Sequence, residues 1–123
     1  MSAAKPHARA LLALDGRNLS RQQLGKVLRH CVHLCRRLDI LVVDPPRALT
    51  SILAMLLLQL EHSGIDYQVA SGHGHMGEEV SDYLSRYRGI SVLAVFDLEP
   101  LGEAVLAQAA EQGVEIQWLG EPD

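Results

Sequence analysis

Positive charge is scarce in this chain. Its 123 residues carry 11 Lys and Arg against 15 Asp and Glu, a formal net charge of −4. Lysine occurs only as Lys5 and Lys26. Nucleic-acid binding depends on neutralising phosphates, so no nucleic-acid partner is expected. The clustered Arg29, Arg36 and Arg37, and the pair Arg86 and Arg88, read as solvated helix faces. Long hydrophobic runs are also missing. The longest, residues 52–58, falls far short of the roughly 20 residues that cross a bilayer, so no membrane insertion is expected. The first nine residues hold Lys5, Pro6, His7 and Arg9 without the apolar stretch of a secretory leader, and a cytoplasmic protein is the expectation. No G-x-S-x-G elbow, P-loop or G-x-G-x-x-G follows the first predicted strand.

Cysteine is limited to Cys31 and Cys35. Four apart on a predicted helix, they share a face with Leu24, Val27, Leu28 and Leu38. They read as small core hydrophobes, with a redox or metal pair as the alternative. A helix interior is a poor place for an exposed nucleophile.

What the chain does have is a contrast among its strands. Ala10-Leu11-Leu12-Ala13-Leu14, Ile40-Leu41-Val42-Val43 and Val92-Leu93-Ala94-Val95-Phe96 are unbroken apolar runs. Ile65-Asp66-Tyr67-Gln68-Val69 and Val114-Glu115-Ile116-Gln117-Trp118 alternate. A parallel strand covered on both faces is apolar throughout, whereas a half-exposed edge strand alternates. The first, second and fourth strands are therefore central and the third and fifth are edges. The order 3-2-1-4-5 satisfies this, and the order 2-1-3-4-5 puts 40–43 on an edge, where it fits badly.

Helices fill the intervals. Ser20 with Gln23 forms a capping box that opens a helix to about Arg37. Pro45-Pro46 opens a second, which runs to His62-Ser63 with Gly64 as its stop. A third runs from the Gly72–Gly77 loop to about Tyr87, with Gly89 as its stop, and a fourth ends at Gly113. The second helix is apolar nearly all round, so either another subunit covers it or a few leucines stay exposed. The whole is one domain over 1–123, with 1–8 a loose extension.

The sequence Leu11-Leu12-Ala13-Leu14-Asp15-Gly16 before Ser20 resembles the opening strand of the universal stress protein family. Ile40-Leu41-Val42-Val43 is similar to its second strand. Ser71-Gly72-His73-Gly74 before Glu78-Glu79-Val80 is similar to the exit of its third. The resemblance implies an open five-stranded parallel α/β sheet, Rossmann-like, with helices on both faces. It implies adenosine contacts at Asp15 and Val43, with Gly16 a candidate ligand-binding residue beside Asp15, and a homodimer built on the fifth strand through Val114, Ile116 and Trp118. The family's phosphate motif after strand four, G-x2-G-x9-G-[ST], is missing. Asp97-Leu98-Glu99-Pro100-Leu101-Gly102-Glu103 stands there and sets Asp97 and Glu99 where glycine amides would hold phosphates.

Two further groups draw attention. Asp15, Asp97 and Glu99, with Asp44 nearby, lie at strand exits and could hold Mg²⁺, but aspartate commonly ends strands and caps helices. In the loop from Gly72 to Gly74, His73 and His75 flank a glycine before a helix, as an anion or ligand contact or as a solvated turn. Three functions follow. The first is a non-catalytic module, in stress response or regulation, that dimerises or docks to a protein partner and needs no cofactor. The second is an ATP- or AMP-binding sensor with an altered phosphate site. The third is a small enzyme using the carboxylates or histidines.

Overall fold

The computed structural model describes residues 8–31 and 35–120. The expected loose extension falls almost wholly on 1–7, outside the described residues. Strands β1 (Ala10–Asp15), β2 (Arg37–Val43), β3 (Asp66–Gly72), β4 (Val92–Val95) and β5 (Glu115–Trp118) form one sheet. Its order is β3-β2-β1-β4-β5 and every neighbouring pair is parallel. Helices α1 (Arg21–Cys31), α2 (Leu49–His62), α3 (Met76–Arg86) and α4 (Glu103–Glu111) connect the strands, with a 3₁₀ turn at Glu99–Leu101 ahead of α4. The edge assignments hold. All four residues of β4 are buried, whereas β5 is half-buried at Ile116 and Gln117 and exposed at Glu115 and Trp118, and β3 is half-buried or exposed up to Gly72.

The alternation of side chains across the sheet makes two cores. Leu12, Leu14, Ile40 and Val42 face one way, against Leu24 and Val27 of α1 and Leu53, Leu56 and Leu60 of α2. Leu11, Ala13, Leu41 and Val43 face the other, against Val80 and Leu84 of α3 and Val105 and Ala109 of α4. Each leucine buried in this way contributes roughly 1.5–3 kcal/mol.

Several boundaries differ from expectation. The Ser20 hydroxyl does cap α1, accepting from the Gln23 N–H at 3.2 Å. The helix then spans Arg21–Cys31, and Arg37 opens β2 instead of closing α1. Cys35 therefore lies off the helix and shares no helical face with Cys31. It is buried, and burial pushes its thiol up to about 11, which keeps it unreactive at neutral pH. Gly64 and Gly113 adopt the positive φ of left-handed helix ends, at 73° each. Gly89 does not, and α3 closes on an extended Tyr87. Val114 precedes β5 and is core, 6% exposed, so it is not available to a β5 interface. On α2 one face is buried, while Met55 and Leu58 stay open to solvent.

Asp39 had drawn no attention in the sequence. It is fully buried on the α3 side of β2. Arg9 grips it with both ends of its guanidinium, Nε to Oδ1 at 3.1 Å and Nη2 to Oδ2 at 2.6 Å. The Tyr83 hydroxyl donates to Oδ2 at 2.5 Å and Arg37 Nε to Oδ1 at 3.3 Å. Gln68 closes the ring by accepting from Arg37 and donating to Tyr83. Arg9 also lies 4.7 Å over the Tyr87 ring. Burial alone would raise the Asp39 carboxyl, but the bonds from Arg9, Tyr83 and Arg37 overcome it and hold the group below its ordinary value.

Candidate functional site

In an open parallel sheet, ligands bind beyond the strand C-termini where the strand order reverses. Here that point lies between β1 and β4. A crevice there is lined by Asp15, Asn18, Gln23, Met76, Asp97 and Pro100. It encloses about 40 Å³, space for a few waters at about 10–15 Å³ each. A wider hollow of about 400 Å³ adjoins it on the α1 side, sharing Gln23, Phe96 and Asp97 and adding Ser20, Gln22 and Lys26.

Asp15 ends β1 and turns back on its own loop. Its Oδ1 accepts from the Arg17 backbone N–H at 3.0 Å and from Arg17 Nε at 3.2 Å, and its Oδ2 accepts from Asn18 at 3.0 Å. Aspartate favours such turns because its side chain reaches the amide two residues on. Arg17 Nε also lies 3.8 Å from Asp44 Oδ2, so one guanidinium bridges the acids that end β1 and β2. The cation that these carboxylates could have recruited is supplied by the chain. Arg17 went unnoticed in the sequence, although an arginine two residues after a strand-ending acid is the local signal for this contact.

Asp44 is the one described non-glycine residue with positive φ, at 55°. Aspartate tolerates that region better than most residues. Its carboxylate then reaches the next loop, accepting the Gly74 N–H at 3.1 Å and standing 3.7 Å from His73 Nδ1. Glu79 braces the same loop from α3 by accepting the His73 N–H at 3.1 Å. Gly16 fits because it has no Cβ: one placed there would run into the Asp44 carbonyl and Pro45. Its N–H donates to the Val43 carbonyl at 2.7 Å, and the Asp44 N–H donates to Gly72 at 2.8 Å. Three strand ends are thus stitched together by main-chain bonds.

The expected site residues divide accordingly. Asp15 and Asp97 line the crevice. Gly16, Gly72, His73 and Gly74 belong to the stitching beside it. The Val43 side chain is buried among core residues, 1% exposed, and only its backbone contributes. His75 lines an open groove between α3 and α4 with Glu78, Asp82 and Pro100, which His73 does not line. Glu99 is exposed and outside the crevice. Among the described residues, no group of three or more His, Cys, Asp or Glu could hold a metal ion. No helix among them is long and apolar enough to cross a membrane. At the chain's other end, Trp118 is 46% exposed and its indole N–H donates to the Phe96 carbonyl at 2.9 Å, which pins the ring to the rim.

No family model, curated protein or solved structure matches this chain.

Proposed function

We propose that this chain is a non-catalytic module of universal-stress-protein type that acts by pairing with its own copy or by docking to a protein partner. The observation that carries this reading is the composition of the crevice. Where a nucleotide's phosphates would sit, the wall offers a carboxylate, Asp97, and a proline, Pro100, which has no N–H to donate. Asp15, the expected adenosine contact, already has both oxygens engaged by Arg17 and Asn18. A phosphate forced to about 4 Å from Asp97 would meet a repulsion of roughly 4 kcal/mol at an effective dielectric near 20. A role in stress response or regulation follows from the resemblance alone.

Calorimetric titration with ATP, with and without Mg²⁺, is expected to give no saturable heat in the micromolar range. Micromolar binding without metal would overturn the reading and favour the nucleotide sensor. Binding only with Mg²⁺, lost in Asp97→Ala, would assign the acids as ligands through the metal and overturn it equally.

The homodimer is assigned to the outer edge of β5. Ile116 and Trp118 lie on β5, the last strand of the sheet, and edge strands accept further strands. Pinned by Phe96, the Trp118 ring loses little freedom on contact. Trp118→Arg is expected to weaken a dimer seen by light scattering at least about tenfold. An unchanged mass distribution would remove β5 as the interface.

A further inference from the structure

We infer that the outer stripe of α2 is a second self-association surface, on which two copies pack their α2 helices antiparallel about a two-fold axis near Ala54. The inference does not rest on β5. On α2, Ser51, Ala54, Leu58 and Glu61 recur at spacings of three, four and three, Arg47 stands four before Ser51 in the preceding turn, and all are exposed. That spacing is the seam of a packed helix pair. Leu58 is 43% exposed, and Met55, which flanks the seam, is 64% exposed. From Leu49 to Gln59 the helix carries no charge, although this face meets solvent. Ala54 at the centre lets two backbones approach closely.

The charges at the two ends indicate which partner fits. Arg47 stands just before the N-terminus of α2 and Glu61 lies in its last turn. Each is at the wrong end of its own helix, because the N-terminus favours anions and the C-terminus cations. An antiparallel second copy corrects both. Glu61 is seven residues after Ala54, about 10 Å along the helix at about 1.5 Å per residue, and Arg47 is seven residues before it, in the turn that leads into Leu49. The two-fold therefore sets Arg47 of each copy beside Glu61 and the C-terminal carbonyls of the other, twice over. Tyr67 holds Glu61 in place by donating to its Oε1 at 2.7 Å, and a carboxylate has further lone pairs for a guanidinium. The complementarity is of the chain with itself, so a second copy is the occupant.

The test uses charge reversal in the full chain, followed by analytical ultracentrifugation, with circular dichroism to confirm the fold. Arg47→Glu alone and Glu61→Arg alone each place like charges across the seam, and each should weaken self-association at least about tenfold. An equimolar mixture of the two variants should recover wild-type strength, since every contact in the mixed pair is again between opposite charges. Damage within one copy cannot be repaired by mixing, so recovery identifies the contact as intermolecular. Single variants that associate as tightly as wild type would overturn the inference. So would a mixture as weak as its components. If Trp118→Arg abolishes association while both α2 variants leave it unchanged, this inference fails and the β5 reading stands.

Discussion

Replacing Asp39 by alanine is expected to destabilise the fold by about 3 kcal/mol, near the low end of the roughly 3–5 kcal/mol for breaking a buried ion pair. The buried carboxylate is the hub that Arg9, Arg37 and Tyr83 all reach. Removing it leaves the Tyr83 hydroxyl with Gln68 alone and the Arg9 guanidinium with none of its anion. The loss stays near the low end because the Arg9 side chain is 20% exposed and can turn to water. The same carboxyl links stability to pH. Its value is held below that of an unfolded aspartate, so its contribution is complete above about pH 4 and fades as pH falls through the folded value. Urea melts between neutral and acid pH should show the wild type losing more stability on acidification than Asp39→Ala. A neutral-pH loss below about 1 kcal/mol would mean that the ring carries no net stability.

Two glycine substitutions of the same kind should have opposite signs. Gly16→Ala is expected to cost about 2–3 kcal/mol, because the new methyl meets the Asp44 carbonyl and Pro45, and main-chain atoms cannot swing aside. Gly25→Ala, inside α1, meets nothing closer than Arg29 Nη1 at 3.5 Å, ordinary contact, and should stabilise by about 0.5–1 kcal/mol through helix propensity. Thermal melts of the two variants decide this. A tolerated Gly16→Ala would mean that the β1 and β2 ends are free to part, and the stitching beside the crevice would lose its structural meaning.

Which features the sequence reveals depends on the range of the forces behind them. The sheet order was legible because burial on both faces must be met residue by residue within each strand, as in 10–14 and 92–95. The end of α1 was not. Arg37-Leu38-Asp39 has the charge content of a solvated helix face, yet it opens β2, where Asp39 meets Arg9 and Tyr83, partners 30 and 44 residues away. No local pattern carries that pairing. At the crevice, Asp15 and Asp97 could be placed by their positions at strand exits. That Arg17, two residues after Asp15, also reaches Asp44 depends on bringing the ends of β1 and β2 side by side, which no local pattern records.

The polar ring around Asp39 and the crevice sit at opposite poles of the same sheet, one near the strand beginnings and one beyond their ends. That spacing divides the chain's mutational freedom. A substitution at Asp97 alters what the upper pole can hold without touching the lock that fastens Arg9, β2 and α3 below. A lineage carrying this fold could therefore exchange ligand chemistry for surface contacts in single steps, each leaving a folded protein for selection to act on.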